Sequence, residues 1–69
     1  MKQGTTIQEA EQHAINNIVR AVGHNAVIVE ITGATHKFRF VAIPESRWER
    51  ERDLHYKYTL VQVYERGDY

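Results

Sequence analysis

The chain contains no cysteine, a single proline and no long apolar run. Without cysteine there is neither a disulfide framework nor a thiolate-ligated zinc site. The most apolar uncharged run, residues 26–29, is far shorter than the roughly 20 residues that a membrane-spanning helix needs. The first six residues are polar and no apolar stretch follows them, so we expect no secretory signal and a cytoplasmic protein.

The chain also lacks an excess of charge of either sign. Nine basic and nine acidic side chains balance, and the isoelectric point is about 6.9. A domain that binds duplex nucleic acid is usually strongly basic, so this balance favours a protein or small-molecule partner. With 69 residues the chain is expected to form one domain, 1–69.

An N-terminal helix is predicted over about residues 6–22. Thr6 and Glu9 have the spacing of a capping box, and Gly23 supplies the left-handed conformation that commonly ends a helix. Apolar residues recur between them at helical spacing and predict one buried stripe. Its members are Ile7, Ala10, Ala14, Ile18, Ala21 and Val22, widened by Ile15 and Val19.

Three strands are predicted after the helix, over about 26–32, 36–43 and 56–64, with a turn at 32–35. The first two form a hairpin in this interpretation. The fold class is therefore α+β, with one N-terminal helix packed on a three- to four-stranded antiparallel sheet. In this prediction Val27, Val29 and Ile31 face the helix together with Phe38, Phe40 and Ala42, and in the last strand Tyr56, Tyr58, Leu60 and Tyr64 share one face.

A highly charged segment, residues 44–54, separates the second and third strands. Two interpretations stay open. In the first, the segment is an extended or looped arm that continues the second strand. In the second, it is a short helix that begins at Pro44 or Glu45 and has only Trp48 and Leu54 to bury.

The side of the sheet away from the helix is predicted to be apolar as well. One helix covers one face, and a water-exposed face of an antiparallel sheet is normally polar. We therefore expect self-association, as a homodimer or larger oligomer, or a constitutive partner, with Ile28, Val41 and Ile43 at the interface. The alternative is that the charged segment folds back and covers this face with Trp48.

The function predicted from the sequence is a small, non-enzymatic protein-binding module of regulatory or inhibitory type. Tryptophan, tyrosine and arginine dominate the energetics of protein interfaces because they bury large areas and keep a polar group. These residue types cluster in and after the charged segment. The predicted partner-binding residues are Arg47, Trp48, Arg50, Arg52, Tyr56, Tyr58 and Tyr64. The alternative is a solvated segment whose charges pair with one another and whose Trp48 caps the core.

Two other functions remain as alternatives. Phe38, Phe40 and Val41 resemble part of the base-stacking strand of RNA recognition motifs, which implies single-stranded RNA binding on an aromatic and basic sheet surface. The other alternative is an oligomer that binds a small ligand.

Catalytic and metal-binding patterns are weak. Glu11 lies within the apolar stripe, where a buried carboxylate can move protons. The commoner outcome is that a glutamate near the helix start extends into water or pairs with Arg39 or His36. His36 and His55 open neighbouring predicted strands, but the four histidines lack metal-ligand spacing. We expect no catalytic residues, no metal and no cofactor.

Overall fold

A computed structural model of the chain describes residues 5–33 and 35–69; residues 1–4 and Ala34 of the predicted turn lie outside these ranges. The first element is the α-helix α1, Ile7–His13, which continues as a π-helical segment, Ala14–Arg20. The strands are β1, Ala26–Ile31, β2, Phe40–Pro44, and β3, Tyr58–Tyr64. Two short helices, α2, Glu45–Arg50, and α3, Leu54–Lys57, separate β2 from β3, and a 3-10 turn follows at Arg66–Asp68.

The strands form one antiparallel sheet in the order β2-β1-β3. With the N-terminal helix and the further short helices, this confirms the predicted α+β class. β1 is the central strand, a position that suits its almost entirely apolar sequence. Four of its six residues are buried there. Thr5 adds an isolated antiparallel bridge to Phe40 on the outer side of β2.

The N-terminal helix begins where the capping box predicts. The Thr6 hydroxyl accepts a hydrogen bond from the Glu9 backbone N–H at 3.3 Å and donates one to Glu9 Oε1 at 3.2 Å. At the other end Gly23 has φ +74°, and its N–H donates to the Val19 carbonyl at 3.1 Å. The left-handed conformation closes the last turn there.

The π-helical segment changes which side chains of this helix are buried. The predicted stripe assumes an α-helix throughout, but π-helical hydrogen bonds span five residues and turn the chain more slowly. Ile18 and Val19 are buried as predicted, whereas Ala21 and Val22 are exposed. Ile7, in the first turn, is exposed too, so these three members of the predicted stripe lie outside the core.

The predicted face of the sheet is wrong for β1, whereas Phe40 and Ala42 of β2 face the N-terminal helix as predicted. Ile28 pairs with Ala42 and Val29 pairs with Val41, so Ile28 lies on the same side as Ala42 and Val41 lies on the opposite side. We call the side covered by α1 and the π-helical segment the α1 side, and the other side the α2 side. Because side chains alternate along a strand, this register exchanges the predicted faces of β1. The α1-side core comprises Ala10, Ala14, Ile18, Val19, Ala26, Ile28 and Phe40.

The α2 side of the sheet is covered by the chain itself. Val27, Val29 and Ile43 form its buried core. Their partly buried neighbours are Val41, Trp48, Leu54, Tyr58 and Val63. The charged segment is therefore a short helix rather than an extended arm, and it brings Trp48 back onto the sheet. The prediction that this face needs a second molecule to cover it is wrong for the described residues.

Two strand boundaries differ from their predictions. β2 begins at Phe40 and not at residue 36, because local contacts hold the preceding chain: the His36 Nδ1 atom accepts the Phe38 N–H at 3.1 Å, and Arg39 pairs with Glu30. β3 begins at Tyr58 because Leu54–Lys57 form a helical turn. β3 also contains a bulge opposite Ile28 and Val29, where one extra residue interrupts the two-residue alternation.

Candidate partner-binding surface

The seven predicted partner-binding residues do not form one surface. Arg47, Trp48 and Arg50 lie on α2, Arg52 follows it, and Tyr56 lies on α3. Tyr58 and Tyr64 are at the two ends of β3. The bulge between them reverses the alternation, so Tyr58 packs on the α2 side and Tyr64 on the α1 side.

Trp48 packs within the chain instead of projecting into solvent. It is half-buried on the α2 side, and its ring stacks on His55 with centroids 4.0 Å apart and planes 24° from parallel. The His55 Nε2–H donates to the Trp48 carbonyl oxygen at 2.9 Å, since a carbonyl oxygen can only accept. These two contacts fasten α3 to α2.

The charge of Arg47 is already compensated within the chain. Its Nε donates to Glu51 Oε2 at 2.7 Å, one helical turn further on. The Arg47 side chain also borders a narrow cleft of about 70 Å³ on the α2 side. The remaining lining is formed by Val29, Val41, Ile43, Leu54 and Tyr58. Arg47 therefore covers apolar surface with its side chain, while its guanidinium is paired with Glu51.

Besides Arg47, which is paired with Glu51, three predicted residues are exposed: Arg50, Arg52 and Tyr56. We call them the arginine–tyrosine surface. Within residues 5–33 and 35–69, ion pairs join Arg39 to Glu30 and Arg47 to Glu51, and neither Arg50 nor Arg52 takes part in one. Tyr56 is 85% exposed although it is a large aromatic residue. Tyr56 therefore presents its ring to solvent from a turn that its neighbours hold in place.

Tyr64 uses its hydroxyl within the chain. The hydroxyl donates to Glu11 Oε2 at 2.7 Å. Partial burial and then the hydrogen bond and negative charge of Glu11 raise the pKa of Tyr64 from 10.0 to about 12. Glu11 is exposed, as one of the two predicted outcomes requires, and its hydrogen-bond partner is Tyr64 rather than Arg39 or His36.

The predicted oligomer-interface residues have intramolecular neighbours. Ile28 is completely buried under the N-terminal helix, and Ile43 is buried on the α2 side. Val41 is half-buried beside the cleft that Arg47 borders. The prediction that the three share one open face is therefore wrong.

The outer edge of β3 is a surface that the sequence analysis missed. β3 is at the end of the strand order, and its central residues Thr59–Gln62 are all exposed. Leu60 and Val61 are 43% and 40% exposed. The sequence does contain a signal for this surface, an uncharged run of seven residues, 58–64. It does not reveal that the strand lies at the edge of the sheet.

A polar depression of about 240 Å³ is a second feature that the sequence did not predict. It is lined by His24, Asn25, Glu45, Ser46, Glu49 and Arg66. Asn25 joins its walls, since Nδ2 donates to Glu45 Oε1 at 3.2 Å and Oδ1 accepts the Arg66 backbone N–H at 2.9 Å. The Asn25 carbonyl also accepts the Glu45 N–H at 2.9 Å. These bonds tie three separate segments together.

The aromatic pair of the RNA-like pattern has one buried member. Phe40 is buried beneath the N-terminal helix, and Phe38 precedes β2 rather than lying in it. His36 and His55, which open neighbouring predicted strands, are both exposed and have separate environments, His36 beside Phe38 and His55 on Trp48. In the described part of the chain no group of three or more histidine and acidic side chains is arranged to hold a metal ion.

Comparisons of the chain with protein-family models, with curated proteins and with solved structures gave no match. Among the described residues, no helix is both long and apolar enough to cross a membrane. The interpretation of function therefore depends on the chain's own surfaces.

Proposed function

We propose that the chain is a small, non-enzymatic protein-binding module, regulatory or inhibitory in type, that contacts its partner through the arginine–tyrosine surface. The observation that carries the proposal is the 85% exposure of Tyr56 on a turn whose neighbours are fixed. Leu54 packs on the α2-side core, and His55 stacks on Trp48. The chain therefore holds an aromatic side chain out into solvent from an anchored backbone.

Anchoring of this kind favours binding. A partner that binds a flexible loop must offset the conformational entropy that the loop loses, whereas a fixed turn has lost most of it on folding. Tyrosine also provides a large contact area and one hydroxyl at low entropic cost. Tyr56 is thus suited to fill a pocket at the centre of an interface.

The two arginines indicate the chemistry of the partner. Arg50 and Arg52 are exposed and take part in no ion pair within the described residues. A guanidinium binds a carboxylate through two parallel hydrogen bonds. The partner surface is expected to have an apolar pocket for Tyr56 with aspartate or glutamate side chains at its rim.

The test compares affinity-tagged wild type with Tyr56→Ala and with the double variant Arg50→Ala/Arg52→Ala. Tyr69→Ala and Arg20→Ala are matched controls, because both residues are exposed and lie outside α2 and α3. Quantitative mass spectrometry identifies the captured proteins, and calorimetry with the purified partner measures the dissociation constant.

We expect one partner whose affinity falls about tenfold or more with Tyr56→Ala and is unchanged in the controls. A partner retained equally by all variants would contradict the proposal. Binding of a labelled single-stranded RNA that weakens steeply with salt and depends on Arg50 and Arg52 would favour the nucleic-acid alternative instead.

A further inference from the structure

The two edges of the sheet are not protected equally. At the outer side of β2, the Thr5 N–H donates to the Phe40 carbonyl at 2.8 Å and the Phe40 N–H donates to Thr5 at 3.0 Å. β2 then ends at Pro44. β3 is longer, and its outer side pairs with no strand of the described chain. Its sequence, Tyr58–Tyr64, contains neither the charged residues nor the proline that usually prevent an edge strand from pairing.

The direction of the backbone groups along β3 follows from the neighbouring bonds. The Ile31 N–H donates to the Arg39 carbonyl, so the odd-numbered residues of β1 hydrogen-bond to β2. The even-numbered residues hydrogen-bond to β3, and the Thr32 N–H, which donates to the Lys57 carbonyl, has the same direction. Alternation then directs the backbone groups of Tyr58 and Leu60 outward. Beyond the bulge the alternation is shifted by one residue, and Val63 is the residue directed outward.

We propose that β3 pairs antiparallel with β3 of a second copy of this chain, which produces a six-stranded sheet in the order β2-β1-β3-β3-β1-β2. A two-fold axis perpendicular to the sheet relates the copies. This inference goes beyond the proposed function, since it concerns different residues, and the dimer would carry two arginine–tyrosine surfaces.

The bulge determines the register of this pairing. The residue types of β3 are nearly symmetric about Val61, but an axis through Val61 would place Leu60 opposite Gln62 of the second copy. Leu60 lies on the α2 side with Val29, and Gln62 lies on the α1 side with Ile28, so that register is excluded. An axis between Val61 and Gln62 places Leu60 opposite Val63 of the second copy, with the same face and the same backbone direction.

The same register matches the other side chains. Thr59 is then opposite Tyr64 of the second copy on the α1 side, and Tyr58 is opposite the Glu65 carboxylate. Each contact occurs twice by symmetry. Within Tyr58–Tyr64 no residue is charged, so Glu65 brings a charge only to the two ends of the pairing. The zero net charge of the chain means that two copies do not repel each other at long range. A second copy is therefore a fitting occupant for this edge.

The first experiment measures the mass of the full chain by native mass spectrometry and by sedimentation over a range of concentrations. We expect a species of twice 8.1 kDa that dissociates on dilution. Leu60→Lys should raise the dissociation constant of the dimer about tenfold or more, because edge lysines oppose strand pairing. Val22→Lys is the matched control, since Val22 is an exposed apolar residue on the N-terminal helix. A wild type that stays monomeric at millimolar concentration would overturn the proposal.

The second experiment determines the register and does not depend on Leu60→Lys folding. The chain has no cysteine, so introduced cysteines report only on each other. A mixture of Leu60→Cys and Val63→Cys chains should form a disulfide-linked pair under mild oxidation, because directly opposite hydrogen-bonded residues have Cα atoms about 5.5 Å apart. Efficient cross-linking of Val61→Cys with itself, and none between Leu60→Cys and Val63→Cys, would overturn this register.

The proposed partner binding and the proposed β3–β3 dimer are tested independently of each other. Tyr56→Ala should leave the dimer mass unchanged, and Leu60→Lys should leave the affinity of one arginine–tyrosine surface for its partner unchanged.

Discussion

The Tyr64 hydroxyl donates a 2.7 Å hydrogen bond to Glu11 Oε2, across 53 positions of sequence. The bond connects the end of β3 to the N-terminal helix on the α1 side of the sheet. Tyr64 therefore joins two elements of the fold, although tyrosine is a residue type that is typical of binding surfaces.

Tyr64→Phe should lower the free energy of unfolding by about 1 kcal/mol at neutral pH, because it removes one hydrogen bond to a charged group that water can still solvate. Chemical denaturation followed by circular dichroism measures the change. Tyr69→Phe is the matched control, since Tyr69 is exposed. Equal stability of Tyr64→Phe and wild type would show that the bond contributes nothing.

The same contact predicts a dependence on alkaline pH. The pKa of Tyr64 rises from 10.0 to about 12 in the folded chain, first through burial and then through Glu11. The folded state therefore favours the neutral phenol, and this contribution to stability is present in full below pH 10 and is lost as the pH rises towards 12. Absorbance titration should show a phenol that ionises as the pH approaches 12, and Tyr64→Phe should remove that step.

Trp48→Ala should lower the free energy of unfolding by about 2–3 kcal/mol, because it uncovers the α2-side core and removes the stacking partner of His55. Trp48→Phe retains an aromatic surface and should recover more than half of the loss. Tyr56→Ala, at an exposed position on the adjoining helix, is the control for a change on the surface. If Trp48→Ala costs no more than Tyr56→Ala, the proposed role of Trp48 as a cover is wrong.

Asn25→Ala should lower the free energy of unfolding by about 1–3 kcal/mol, since its side chain joins Glu45 to the backbone of Arg66. Asn25→Asp keeps the acceptor for Arg66 but replaces the donor to Glu45 with a carboxylate oxygen, so it should cost at least as much. Asn16→Ala, on the exposed side of the helix, is the control, and thermal melts rank the variants. A melt in which Asn25→Asp equals wild type would contradict this account.

Gly23→Ala should cost about 1 kcal/mol, because φ at Gly23 is +74° and a side chain disfavours that conformation. No heavy atom lies within 4 Å of the position that a Cβ would take, so the cost is backbone strain alone. Gly67→Ala has equal space and no left-handed backbone, and it should be close to neutral. An equal effect of the two substitutions would rule out the strain.

Part of the candidate surface was predictable from the sequence. Arg50, Arg52 and Tyr56 are exposed, which their polar groups predict, and their binding to a partner stays a prediction. Trp48 and Tyr64 belong to the same residue types, yet one packs on the α2-side core and the other bonds to Glu11. Residue type indicates what a side chain contributes to an interface, but the strand register and the path of the chain decide whether it reaches the surface.

The sequence by itself determined the local elements. Thr6 and Gly23 mark the ends of the N-terminal helical region, and the apolar run after Asn25 forms the central strand, because caps, glycine conformations and β-branched residues act within a few positions. Only the tertiary structure decided which face Ile28 occupies, where β3 has its bulge and what covers the α2 side. A uniformly apolar strand has no preferred face, so pairing with distant strands sets its register, and a short charged helix becomes stable only when Trp48 has a sheet to pack on.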